Sequence, residues 1–277
     1  MKQPVAQVLC ISSFVARGHV GLSAIVPALQ GLGHETIELP SVLLSNHPGH
    51  RAYSKRDMPP EAMTGMIAIY EQAGWLRGID AVLTGYLPSA GHVDAAANAI
   101  DRVRKANPKA LYVCDPVLGD DPHGLYIAQE AAEALRDRLV PLANCITPNR
   151  FELAWLSGLE VNNAAQAIEA SRTLMRPMVL STSIPGGPAH LSNILVQGDD
   201  VTQYVVPRFD AVPHGSGDFM GALFTGHLLD DCTANRALNR AAAAVHAVAA
   251  RSQGRDELVI VPDSDVWKTL TPPATKQ

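Results

Sequence analysis

The 277-residue chain lacks any apolar run long enough to cross a bilayer, which excludes a membrane-spanning helix. It also lacks a basic tract. Lysine and arginine number 22 against 27 acidic residues, and this formal net charge of -5 argues against nucleic acid as the main partner. Aromatic residues are scarce at 5% and charged residues make up only 18%, whereas hydrophobic types reach 47%; these proportions suit one large globular domain. The four cysteines, Cys10, Cys114, Cys145 and Cys232, show no paired spacing, and the first three fall in apolar strand-like runs. Buried free thiols are expected there, not disulfides or a metal site. No secretory leader profile, internal repeat, low-complexity tract or linker is visible. The expectation is a cytoplasmic, single-domain protein over residues 1–277 that binds small molecules, with residues 271–277 a loose tail.

What is present is an alternation of apolar strands and helices. Strands are predicted over residues 5–12, 36–39, 81–84, 111–114, 145–147, 178–182, 193–197 and 201–206. Helices are predicted over residues 21–32, where Pro27 can kink the chain, and over 61–75, 92–106, 130–140, 149–157, 164–175, 218–229 and 234–251. Residues 41–60 break into Ser, Asn, His, Pro and Gly and read as a long loop, either a surface excursion or a site element. Repeated strand–helix units imply a mainly parallel sheet with helices on both faces. Ligands of such sheets gather beyond the carboxyl ends of the strands, so Ser12, Thr84-Gly85-Tyr86, Asp115, Thr147-Pro148-Asn149 and Thr182-Ser183 would share one rim.

The chain is organised around Val212-Pro213-His214-Gly215-Ser216-Gly217-Asp218-Phe219, where two glycines bracket a serine at the start of an apolar helix. Glycine lets such a loop turn its amides inward, and the free N–H groups of the new helix point to the same spot, which makes an anion site. Asp218 either caps the helix or accepts a proton from a substrate hydroxyl. Asp115 and Glu152 each follow an apolar strand and carry the charge that Mg²⁺ prefers, although an Asp-Pro pair also makes turns and Glu152 also suits a solvated first helical turn. Thr147, Asn149 and Thr182 offer hydroxyl or amide donors for phosphates; Thr147 has helix capping as its plain alternative.

Seven blocks carry a resemblance together. Ile11-Ser12-Ser13, Gly18-His19-Val20-Gly21, Ser45-Asn46-His47, Thr84-Gly85-Tyr86, Cys114-Asp115-Pro116-Val117-Leu118-Gly119-Asp120, Ile146-Thr147-Pro148-Asn149-Arg150-Phe151-Glu152 and Gly215-Ser216-Gly217-Asp218 stand in the order found in pyridoxal kinases of the ribokinase-like superfamily. The resemblance covers nearly the whole chain. It implies an α/β fold, the ribokinase-like three-layer α/β/α sandwich with a mainly parallel central sheet. It also implies ATP-dependent phosphorylation of the 5′-hydroxymethyl group of vitamin B6 forms, with Mg²⁺, in a cytoplasmic homodimer; a monovalent cation such as K⁺ is left open.

Carried over by residue, the resemblance makes Asp218 the catalytic base and Gly215, Ser216 and Gly217 the anion hole. Asp115 and Glu152 fall near metal and nucleotide phosphates, Thr147, Asn149 and Thr182 near the phosphates, and Ser12, His47 and Tyr86 around the vitamin. Tyr86 has half-buried packing as its alternative, and His19 a place at a helix start. Two departures weaken the substrate assignment more than the chemistry: Phe14 stands where many members have His, and Pro48 where Thr commonly follows Asn-His. A kinase of hydroxymethylpyrimidine or a related heterocycle is the nearest alternative. A ligand-sensing protein with poor turnover is another.

Overall fold

The computed structural model describes residues 5–269, so the tail expected over residues 271–277 lies outside the described residues. In chain order the strands are β1 (Gln7–Val15), β2 (Glu35–Leu44), β3 (Lys55–Asp57), β4 (Ala81–Thr84), β5 (Leu111–Cys114), β6 (Gly119–Asp120), β7 (Gly124–Leu125), β8 (Cys145–Ile146), β9 (Met178–Pro185), β10 (His190–Gln197) and β11 (Asp200–Pro207). The helices are α1 (Leu22–Gly31), α2 (Pro60–Gln72), α3 (Ala90–Ala106), α4 (Gln129–Ala134), α5 (Arg150–Ser157), α6 (Ala164–Thr173), α7 (Ser216–Leu229), α8 (Ala234–Ser252) and α9 (Ser264–Thr269).

One sheet runs β11-β10-β9-β8-β5-β4-β1-β2-β3, and β6 with β7 forms a small separate hairpin. From β9 to β2 every pairing is parallel, while β10, β11 and β3 join antiparallel at the edges. The parallel strands alternate between two cores. Leu9, Ile11, Val82 and Tyr112 face a layer containing α2, α3, α4, α5 and α6, whereas Val8, Cys10, Leu83 and Val113 face α1, α7, α8 and α9. The mainly parallel sheet between two helical layers matches the expectation, because strands buried on both faces read as continuous apolar runs.

Helix α7 is buried from Phe219 to His227, as a helix apolar on nearly all sides must be. Burying Phe219 and Phe224 in full contributes about 1.5–3 kcal/mol each. This fixes the helix, and hence its N-terminus, against the sheet.

Residues 41–60 depart from the loop expectation. β2 continues to Leu44, and Lys55–Asp57 returns along it as an antiparallel edge strand. All three residues of β3 are exposed and polar, so backbone pairing holds them and no apolar pattern announces them. β1 likewise runs on to Val15, placing Ser12 inside the strand; its pairing with β2 slips just after Ser12 meets Pro40, which has no N–H to give the ladder. The helix expected over residues 130–140 is α4 followed by one wide π turn at Leu135–Leu139 and a short 3-10 turn at Val140–Leu142. All four cysteines are free, and Cys10, Cys114 and Cys145 are buried.

Candidate active site

The parallel ladder extends one step past the strand ends and places the rim residues. Gly85 N–H donates to Ile11 O at 2.8 Å, Asp115 N–H to Thr84 O at 2.9 Å, Thr147 N–H to Cys114 O at 3.0 Å and Thr182 N–H to Pro148 O at 2.9 Å. Backbone hydrogen bonding thus sets these residues side by side before any side-chain contact is counted.

Above the rim stands the start of α7. Gly215, at φ 104, is its N-cap, in a left-handed conformation that favours glycine, and a side chain there would collide with the His19 carbonyl. No side chain caps the helix. Asp218 therefore does not act as N-cap; it sits in the first turn and turns away from its own helix. Its Oδ2 accepts the Gly21 N–H at 2.9 Å. Removal from water pushes its pKa up to about 6, against the opposing pull of that N–H. Around Gly217 there is open space. Unpaired helix N–H groups, a glycine loop and a carboxylate that is a stronger base than usual thus meet at one point, an arrangement suited to holding an anion while accepting a proton.

Asp115 is buried, and its pKa is raised by desolvation and by the charge of Asp218, while the neighbouring Thr147 hydroxyl favours its ionised form. That hydroxyl is itself buried without a well-formed hydrogen-bond partner. Gly221 faces both groups, and a Cβ there would lie 3.7 Å from each. Glu152 is buried too. Its Oε1 accepts Leu118 N–H at 3.0 Å and its Oε2 accepts Asn149 N–H at 2.8 Å, while Asn149 Oδ1 accepts Glu152 N–H at 2.9 Å. This reciprocal capping box starts α5. The Glu152 pKa is nonetheless well raised, first by burial and then by Asp115, with the backbone donors opposing. Asn149 also spends its amide on Gly119 O at 2.8 Å, and Thr182 is half-buried in β9.

The substrate-side residues divide. Ser12 is fully buried and its Oγ accepts Tyr86 N–H at 3.1 Å; a Cβ at Gly85 would stand 2.5 Å from that Oγ and 3.7 Å from Asp218 Oδ1, so Ser12, Gly85 and Asp218 are immediate neighbours. Tyr86 is half-buried beside the cluster that includes Met63 and Leu118. His47 lies in the turn beyond β2, stacked on His214 at 4.1 Å between ring centroids. Phe14, 37% exposed, bridges by backbone to Gly21, the residue that holds Asp218.

Two contributors escape a reading of residue types. Gly21 acts through its N–H, and the only sequence signal was its place in the Gly18-His19-Val20-Gly21 block. His214 acts through a ring contact with a residue 167 positions away, which no local pattern shows. Among the described residues no group of three or more His, Cys, Asp or Glu side chains forms a metal cluster. Mg²⁺ does not require one, since one or two carboxylates with substrate phosphates suffice. The buried Asp115 carboxylate and the neighbouring Thr147 hydroxyl form an oxygen donor set of that kind, whereas both Glu152 oxygens already accept backbone N–H groups and retain only their remaining lone pairs.

The phosphomethylpyrimidine kinase family model matches residues 52–257. Pyridoxal kinase PdxY of Leifsonia xyli subsp. xyli is 37% identical over 270 residues, 94% of this chain and 95% of that protein. Pyridoxal kinase PdxY of Corynebacterium diphtheriae is 37% identical over 244 residues, 86% of each chain. Among solved structures, the pyridoxal kinase of Leishmania donovani in complex with ADP and pyridoxamine aligns with a TM-score of 0.90 at 29% identity, covering 96% of this chain and 97% of that one.

Proposed function

The chain belongs to the pyridoxal kinase family, and from that premise we propose that it transfers the γ-phosphoryl group of ATP to the 5′-hydroxymethyl oxygen of pyridoxal and related vitamin B6 forms. The observation that carries the reading is Asp218, held by Gly21 N–H at the mouth of the glycine loop with its pKa raised to about 6. At neutral pH it is mainly ionised and ready to accept a proton. The acceptor hydroxyl gives its proton to Asp218 as its oxygen bonds to phosphorus, the bond from phosphorus to the ADP oxygen breaks, and ADP leaves with those electrons. Amides of Gly215, Ser216 and Gly217 stabilise the charge on the transferred group. Gly85, having no side chain, lets Ser12 pack close against that strand end, with Asp218 next to it; a Cβ there would stand 2.5 Å from Ser12 Oγ.

Asp115 is the residue we assign to Mg²⁺, directly or through water, with Thr147 beside it and Glu152 at longer range. The ion would neutralise phosphate charge and orient the leaving group. Asn149 and Thr182 are placed by this reading on the phosphate side, Asn149 chiefly by fixing the turn that starts α5. His47 and Tyr86 wall the vitamin end. The family resemblance further supports a cytoplasmic homodimer; sedimentation would then give about twice the 29.5 kDa chain mass.

A second reading has its own support. The matched family model is described as phosphomethylpyrimidine kinase, and an apolar Phe14 near the acceptor end suits a less polar heterocycle. An ATP-consumption assay with Mg²⁺ and pyridoxal, pyridoxine, pyridoxamine and hydroxymethylpyrimidine separates the two. Turnover favouring the B6 forms is expected. Preference for the pyrimidine would replace the proposal with the second reading, and absence of turnover with all four would leave a ligand sensor.

A further inference from the structure

The stacked His47–His214 pair joins the turn that follows β2 to the segment that leads into α7. His47 is fixed from its own side. Its Nδ1 accepts Gly49 N–H at 3.1 Å, which leaves the ring proton on Nε2. The turn around it is braced: Asn46 Nδ2 donates to His47 O at 3.2 Å and to Ala52 O at 3.0 Å, His50 N–H donates to His47 O at 3.1 Å, and Ser54 N–H donates to Ser45 Oγ at 2.8 Å. His50 pairs with Glu257 at 3.2 Å, and Arg17 reaches the same carboxylate at 3.7 Å. None of these bonds fixes the free face of the His47 ring. His214 does, at an interplanar angle of 24°, and it is immediately followed by the Gly215–Gly217 loop.

We propose that His214 is a positioning residue for the acceptor: its ring holds His47 against the start of the anion loop, so that the vitamin end and the phosphate end of the cleft keep one spacing. This rests on the kinase reading above. His214 touches no reacting atom in this scheme; it acts through His47. Burial and the neighbouring His214 and His50 lower His47 to about 4, against the opposing pull of Asp120. A neutral ring is the state in which His47 stacks without charge repulsion.

The test varies pyridoxal and ATP separately in steady-state assays of the wild type, His214→Ala, His214→Phe, His47→Ala and the double alanine variant. An aromatic pair is worth roughly two- to twelvefold, so His214→Ala should raise the pyridoxal KM by about that factor while the ATP KM stays put. His214→Phe keeps a ring for the stack and should restore the pyridoxal KM. In the His47→Ala background, His214→Ala should add nothing. The inference is overturned if the two KM values move together, if neither moves, if Phe behaves like Ala, or if the two alanine effects multiply. A wild type that phosphorylates no B6 form would sink the kinase reading and this inference with it, whereas an active wild type with an invariant pyridoxal KM would sink only the inference.

Discussion

The two ends of α7 hold similar side chains in opposite circumstances. At the N-terminus, Asp218 makes its contact with Gly21 N–H and otherwise opens onto the glycine loop, and its charge helps to raise the pKa of Asp115. At the C-terminus, Asp230 lies between two histidines, 3.6 Å from His34 and 3.9 Å from His227, and His34 also contacts Gly226 O at 3.0 Å. Both ends remove carboxylates from water. Only the first leaves its charge facing a cleft with helix N–H groups beside it, whereas the second locks α7 to the chain just after α1. Burial alone therefore does not mark a reactive carboxylate; what the carboxylate faces does.

The sharpest way to break that contrast is Asp218→Asn. Turnover should fall by about two to four orders of magnitude, the reach of general-base catalysis, with fold and ADP affinity retained. A variant within a few-fold of wild type would make the N-terminal end as structural as the other. Next in size, Asp115→Ala should raise the Mg²⁺ and ATP needed for half-maximal rate by roughly ten- to hundredfold, the scale of a lost charged contact. Superimposable Mg²⁺ titrations would remove Asp115 from the metal site. Phe14→His should then change the kcat/KM ratios among the three B6 forms and hydroxymethylpyrimidine by about fivefold, as a polar partner replaces a ring. Identical ratios would show that Phe14 packs without touching the acceptor.

The smallest effect belongs to the C-terminal end. Burial first, then Arg240, His34 and Arg236, lower His227 to about 4 from its ordinary 6.5. The unfolded chain therefore takes up this proton before the folded one does. Its contribution to stability is whole above pH 6.5 and is lost as pH falls from there toward 4, by roughly 1 kcal/mol per pH unit. Asp230, raised by burial, works in the opposite sense, so the difference between wild type and His227→Gln isolates the histidine. Urea midpoints at pH 7 and pH 5 should separate less in the variant. Equal separation would show that His227 is not part of the acid response, and unchanged turnover at pH 7 would keep the two ends distinct.

Much of this arrangement was legible from residue types, and the exceptions share a cause. β4 and β5 announce themselves because strands buried on both faces are apolar throughout, and Asp218 because Gly-Ser-Gly precedes it at a helix start. β3 does not, because Lys55, Arg56 and Asp57 pair through backbone groups while their side chains remain in water. Ser12 appeared to follow its strand because the pairing of β1 beyond Pro40 depends on a register slip. The link from Gly21 to Asp218 is a backbone N–H spanning 197 positions, and such contacts leave no trace in composition or spacing. The helix start at residue 149 was visible, with Thr147 as the candidate cap; Asn149 instead caps α5 in a box with Glu152, and neither that box nor the donation from Leu118 to the other Glu152 oxygen was expected.

The pH dependence of kcat/KM for pyridoxal, at saturating Mg²⁺ and ATP, tests most directly whether the Asp218 end of α7 is the reactive one. Asp218 accepts a proton only when ionised, and its pKa stands at about 6. Activity should be full above that pH and fall about tenfold per unit below it, because kcat/KM reports the acceptor-free enzyme. In Asp218→Asn the residual activity should lose this acid limb. An acid limb of the same midpoint and slope in both proteins would mean that another group takes the proton, and Asp218 would not be the base.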